Sequence, residues 1–216
     1  MEFILDGFRA NGVSLRQVIQ EAYGIYEEDR LSGGPMWLPT QKFDIQAKIS
    51  GDDVAAFKAL SLGQRRAMLQ TLLDERTHLS LHHETVPLPV YELVVAKGRP
   101  KFHESSTQKL RLADIKGYQG SVLQSYNGGL EVQEFSMPAL ALLLYQFLGR
   151  TVVDRTGLTG RYDFSLRWTP DNLPDQSMEW PSIFTAVEEQ LGLKLESARS
   201  PVDTLVVDQI ELPSEN

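Results

Sequence analysis

Asp6-Gly7-Phe8-Arg9-Ala10-Asn11-Gly12-Val13-Ser14-Leu15 and Gly128-Gly129-Leu130-Glu131-Val132-Gln133-Glu134-Phe135-Ser136-Met137 read as one passage written twice. Each opens on a glycine-containing hairpin signal. Each then alternates apolar residues, Phe8 and Ala10 in the first, Leu130 and Val132 in the second, as a half-buried strand does. Each ends in an apolar-Ser-apolar triplet that puts Ser14 or Ser136 where a helix N-cap belongs. The matching positions keep one constant offset without a gap. The pattern predicts a strand that runs straight into a capped helix, in both halves of the chain.

Outward from these starts the two halves keep the same order. Leu15, Val18, Ile19, Ala22 and Tyr23 form one helical face, with a Ser14/Gln17 capping box and Gly24 as the left-handed stop. Met137, Leu140, Ala141, Leu144 and Leu148 repeat it, with Pro138 in the tolerant first turn and Gly149 as the stop. A turn-rich stretch follows in each half, Leu31-Ser32-Gly33-Gly34-Pro35 and Thr156-Gly157-Leu158-Thr159-Gly160. It leads into an alternating strand: Phe43, Ile45, Ala47 and Ile49, or Tyr162, Phe164, Leu166 and Trp168. Both strands carry aspartate second, Asp44 and Asp163. A second helix is capped by Ser61 with Gln64 and buries Met68, Leu69, Leu72 and Leu73. Its counterpart is capped by Ser182 and buries Ile183, Phe184, Val187 and Leu191 before Gly192. Two strands close each half: Leu79-Ser80-Leu81 then Tyr91 to Val95, and Leu193-Lys194-Leu195 then Thr204 to Val207.

The expected fold is therefore α+β, two tandem β-α-β-α-β-β units with small mixed or antiparallel sheets. The first unit spans 1–97, a polar linker or surface loop spans 98–120, the second unit spans 121–213, and 214–216 form a tail. Only Met1 to Leu5 remain to supply an outer strand before Asp6-Gly7.

The chain has 216 residues, no cysteine, and 21 Lys plus Arg against 29 Asp plus Glu, a formal charge of −8. That balance argues against nucleic-acid binding, which draws on positive charge to displace counterions. The missing cysteine removes disulfides, thiolate metal sites and thiol nucleophiles. The apolar run Ala139 to Tyr145 is too short to span a bilayer. The first residues have neither the basic start nor the apolar stretch of a signal peptide, so the chain as it stands reads as cytoplasmic.

Val13-Ser14-Leu15-Arg16-Gln17, Gly33-Gly34-Pro35-Met36-Trp37, Phe43-Asp44-Ile45, Pro87-Leu88-Pro89-Val90-Tyr91 and Val94-Val95-Ala96-Lys97-Gly98 occur in this order. The second half adds Gly149-Arg150-Thr151-Val152-Val153-Asp154, Thr156-Gly157-Leu158-Thr159-Gly160 and Gln190-Leu191-Gly192-Leu193-Lys194-Leu195-Glu196. Together they resemble an uncharacterised family of "soil-associated" bacterial proteins of acidobacterial type. The resemblance implies export to the envelope or periplasm and no settled activity. The order of elements also resembles the short N-terminal domain of secretins and TonB-dependent receptors, which implies a role in protein interaction.

Three sets of residues are candidates for chemistry. His82 and His83 are acid/base or metal-ligating types, yet neighbours on a strand point to opposite faces, so both cannot grip one ion. Asp154, Thr156 and Asp163 bracket a glycine-rich turn whose oxygens suit Ca²⁺. The alternative is a tight connection in which Asp154 bonds its own backbone amides. No other cofactor is called for. Met36 and Trp37 form either a recognition patch or a plug on the core. No Gly-x-Ser-x-Gly, Walker or dinucleotide pattern occurs.

The distinctive residues are caps, turn glycines and core positions, which specify shape. The sequence thus predicts a non-catalytic protein-interaction or binding module of the bacterial envelope. It would engage a protein partner, or another copy of itself, through a sheet edge. The rival expectation is a metal-dependent hydrolase of ester, lactone or peptide bonds, drawing on His82, His83, Asp154 and Asp163.

Overall fold

The computed structural model describes residues 1–50, 53–105, 121–126, 128–170 and 180–213. It is an α+β fold with two compact units. One is built from Met1–Val86 and the segment from Pro201 onward, the other from Pro87–Ser200.

In the first unit, β1 (Glu2–Ile4) and β2 (Gly7–Ser14) form the expected hairpin, and β2 runs directly into α1 (Leu15–Tyr23). Ser14 caps the helix: its hydroxyl accepts the Gln17 amide, while the Gln17 side chain accepts the Ser14 amide. Gly24 closes the helix in the left-handed region, at φ 67°. Next come β3 (Leu31–Gly33), β4 (Lys42–Lys48), α2 (Val54–Ala59) and α3 (Leu62–Thr77). Strands β1, β2 and β4 form an antiparallel sheet in that order. Its inner face packs Phe8 and Ala10 into a core with Val18 and Ile19 of α1 and Leu69 and Leu73 of α3.

The second unit has its own strands and helices. Strands β7 (Ser121–Tyr126) and β8 (Gly129–Phe135) pair antiparallel, and α4 (Met137–Leu148) follows, capped by Ser136 and stopped by Gly149. Then come β9 (Val152–Asp154), β10 (Tyr162–Arg167) and α5 (Ile183–Leu191). Strand β10 lies against β8 as β4 lies against β2. Here a further strand, β6 (His103–Glu104), pairs on the far side of β10, giving the order β6-β10-β8-β7.

The closing strands depart from the sequence reading. Where two short strands were expected in each half, β5 (Ser80–Val95) and β11 (Leu193–Gln209) are each continuous. The expected breaks fell where prolines interrupt the pattern. Proline forbids ladder donation but holds φ near −65°, which extended chain accepts. Pro87 and Pro201 sit at the same distance from Leu79 and Leu193, and each is where its strand leaves one unit and enters the other.

The last part of β11 thus belongs to the first unit, pairing parallel with β3 (Leu205 opposite Leu31, Val207 opposite Gly33). The last part of β5 belongs to the second, pairing parallel with β9 (Tyr91 opposite Val152, Leu93 opposite Asp154). Expected boundaries near 97 and 120 give way to crossings at Val86–Pro87 and Ser200–Pro201. Residues 106–120, 127 and 214–216, which enter the expected linker, hairpin and tail, lie outside the described residues.

Two helix-face expectations also change: Met68 and Phe184 are 43% and 38% exposed. They lie at the rims of faces whose centres, Leu69 with Leu73 and Ile183 with Val187, are buried.

Candidate functional site

The paired aspartates of the two alternating strands have the same structural task. Pairing of β2 with β4 slips between Ala10 and Val13, and Gly12 in the slip takes φ +60°. The amide of Gly12 donates to Asp44 Oδ1 at 2.8 Å. Pairing of β8 with β10 also slips, and Glu134 takes φ +51° there. The amide of Glu134 donates to Asp163 Oδ1, again at 2.8 Å. A left-handed residue in a bulge turns its amide out of the ladder, and the carboxylate across the strand receives it. Asp163 thereby joins a different network from Asp154 and Thr156. Asp154 Oδ1 accepts both the amide (2.9 Å) and the hydroxyl (2.7 Å) of Thr156, and Thr156 Oγ1 accepts the Leu158 amide at 3.1 Å. Those are the bonds of a side-chain-stabilised turn.

His82 and His83, exposed on β5, each meet an aspartate of β11. His82 Nδ1 lies 2.8 Å from Asp208 Oδ1, and His83 Nδ1 lies 3.0 Å from Asp203 Oδ2. Alternation along β5 sends the two rings to opposite faces, so they remain two separate pairs. Among the described residues no group of three His, Asp or Glu side chains is placed to hold a metal ion. Met36 is 94% exposed, while Trp37 is half-buried against the first core.

The outer edges of β4 and β10 differ. Segment His103 to Ser105 lies along β10, with Tyr162 opposite Glu104 and Asp163 opposite His103. The Ser105 amide donates to the Arg161 carbonyl at 2.7 Å, and the Ser105 hydroxyl donates to Asp163 Oδ1. The Phe102 ring packs on Tyr162 and Phe164, with centroids 5.0 and 5.6 Å away. On β4 the corresponding residues are Asp44, Phe43 and Ile45, the latter two half-buried. Strand β4 has β2 on one side, and among the described residues no strand pairs with its other side. Strand β6 escaped the sequence reading because two residues of pairing carry no periodicity. The order Phe102-His103-Glu104-Ser105 after Gly98-Arg99-Pro100 is the only signal it leaves.

A family model described as a protein of unknown function, DUF3738, matches residues 16–210. The chain belongs to the DUF3738 family. The match takes in β4, the two His–Asp pairs, the Asp154 turn and the Met36-Trp37 loop, while Gly12 of the first bulge lies before it. No curated protein and no solved structure matches this DUF3738 chain. Among its described residues no helix is long and apolar enough to cross a membrane.

The first unit also holds an apolar cleft of about 290 Å³, lined by Phe8, Phe57, Met68 and Leu72 with Arg65 at its side. Small-molecule sites run from about 300 to 1,000 Å³. The cleft sits at the floor of that range, and the open strand is the better-defined feature.

Proposed function

We propose that this DUF3738 chain is a non-catalytic binding module that takes an extended segment of a protein partner on the outer edge of β4. The observation that carries the reading is the contrast between β4 and β10. They share neighbours, register slip and aspartate, yet β10 has an added strand and β4, among the described residues, has none. Unpaired edge amides and carbonyls are a template for strand addition. The reading treats the two halves as copies of one unit, supported by the common order of elements and the shared bulge. It places the module in the bacterial envelope, on the motif resemblance to exported soil-associated proteins and the secretin-like order of elements.

Hydrogen exchange of the full chain with and without strand-forming peptides tests it. Protection gained across residues 42–48 is the expected result, and no peptide protecting that stretch would sink the reading. A panel of esters, lactones and peptides, with Ca²⁺ or EDTA, is expected to show no turnover. Turnover abolished by His83→Ala in a still-folded protein would put a hydrolase in its place.

A further inference from the structure

We infer that the segment recognised by β4 is an antiparallel strand of a partner protein with an aromatic residue three positions before a serine or threonine, and an acidic residue three positions before the aromatic. The inference rests on the binding reading above and uses the second unit as its template.

On β10 the arriving chain makes three specific contacts. A backbone amide goes to the Arg161 carbonyl, an aromatic ring goes onto Tyr162 and Phe164, and a hydroxyl goes to the carboxylate that already holds the bulge amide. All three acceptors have counterparts on β4. Lys42 stands at the place of Arg161. Phe43 and Ile45, half-buried on the inner face, stand at the places of Tyr162 and Phe164. Asp44 Oδ1 already accepts the Gly12 amide, as Asp163 Oδ1 accepts that of Glu134. In the arriving chain Phe102 precedes Ser105 by three residues. That spacing puts the ring opposite Ile45 and the hydroxyl opposite Lys42, within diagonal reach of Asp44.

Backbone groups alternate in direction along a strand. Since the Arg161 carbonyl faces the added strand, those of Lys42, Asp44 and Gln46 face the open edge of β4.

Charge sets the remaining position and disfavours a second copy of β4 in the register centred on Ile45. Two β4 strands paired antiparallel about Ile45 would oppose Lys42 to Lys48 twice, and directly opposed like charges repel. Lysines on an edge strand guard against such self-pairing. A partner that continues past Gln46 meets Lys48, which is exposed and selects an acidic residue there.

The probe is a capped heptapeptide, Glu-Val-Thr-Phe-Thr-Val-Ser, labelled at its N-terminus and titrated against the full chain by fluorescence anisotropy, with hydrogen exchange to locate it. Replacing its Phe or its Ser by Ala is expected to weaken binding about tenfold each, since one loses a buried ring and the other a charge-assisted bond. Lys48→Glu in the protein is expected to weaken it about threefold and to be restored by a peptide beginning with Lys. Gln46→Pro removes an outward amide and abolishes binding. An unchanged circular dichroism spectrum shows that the variant still folds. Should all peptides bind β4 equally, the motif is wrong while the binding reading stands. If none protects 42–48, both fail. A dimer in solution that the peptide dissociates would make a second copy the occupant and overturn the inference.

Discussion

At the scale of single residues, the left-handed positions Gly12 and Glu134 test what the paired aspartates do. A Cβ at Gly12 would meet nothing within 4 Å, so Gly12→Ala isolates the cost of φ +60°. It is expected to lose about 1 kcal/mol in urea denaturation. Glu134→Gly runs the other way, relieving a side chain at φ +51° and gaining up to about 1 kcal/mol. Asp44→Ala and Asp163→Ala each strip the bulge amide of its acceptor. Each is expected to cost about 1 kcal/mol, the ordinary worth of a partly exposed hydrogen bond. If Asp163→Ala were neutral while calcium stabilised the parent protein, Asp163 would be a ligand and not a bulge anchor. The exposed His–Asp pairs should matter least. His82→Gln and His83→Gln are expected to stay within about 0.5 kcal/mol of the parent, as exposed ion pairs do.

At the scale of elements, what the sequence shows clearly is local chemistry, and what it hides is pairing. Ser14 with Gln17 and Ser61 with Gln64 are legible as capping boxes because both bonds lie within four residues of chain. Gly24, Gly149 and Gly192 are legible as stops because only a left-handed residue closes those helices. Strand β6 and the outer edge of β4 are illegible for the same reason: an edge is defined by a neighbour that is distant in sequence. The short stretch before Asp6-Gly7 does supply an outer strand, since β1 pairs with β2. The α1–α3 contact makes a pH prediction of its own. Arg66 reaches from α3 to Glu21 of α1 at 3.3 Å and to the Tyr26 hydroxyl. Burial first, and then the Glu21 carboxylate, raise the Tyr26 pKa above its usual 10.0; burial and Asp74 raise that of Tyr23. The folded state therefore holds these phenol protons more tightly than the unfolded chain. Their stabilisation is complete below about pH 10 and falls as pH rises through the folded pKa values. Denaturation midpoints should fall above pH 10, and Tyr26→Phe should flatten that fall.

At the scale of the whole molecule, the consequence of the closing strands is that the first unit is discontinuous in sequence. Its core includes Leu205, Val207 and Ile210, exposed by 0%, 3% and 7%. The same segment pairs with β3, its Val207 carbonyl accepts the Gly34 amide at 3.0 Å, and its Glu211 amide donates to the Thr77 carbonyl at 2.7 Å. Thr204 Oγ1 donates to the Glu84 carbonyl at 2.8 Å, and the Asp203 carbonyl accepts Arg30 Nε at 3.0 Å. Three buried apolar side chains at about 2 kcal/mol each approach the entire stability of a small domain. A chain ended after Ser200 is therefore expected to lose the fold of the first unit and keep that of the second, whose residues Pro87–Ser200 are all present. Native-state hydrogen exchange reads this directly: amides of α1 and β4 should exchange freely while those of α4 and β10 stay protected. A synthetic peptide covering Pro201 to Pro213, added in trans, should restore protection to the first set. Leu205→Ala in the full chain is the milder form, expected to cost about 2–5 kcal/mol by opening a cavity in that core. Had the closing strands stayed within their own halves, the shortened chain would keep α1 and β4 protected, and that result would refute the division of β11 at Pro201.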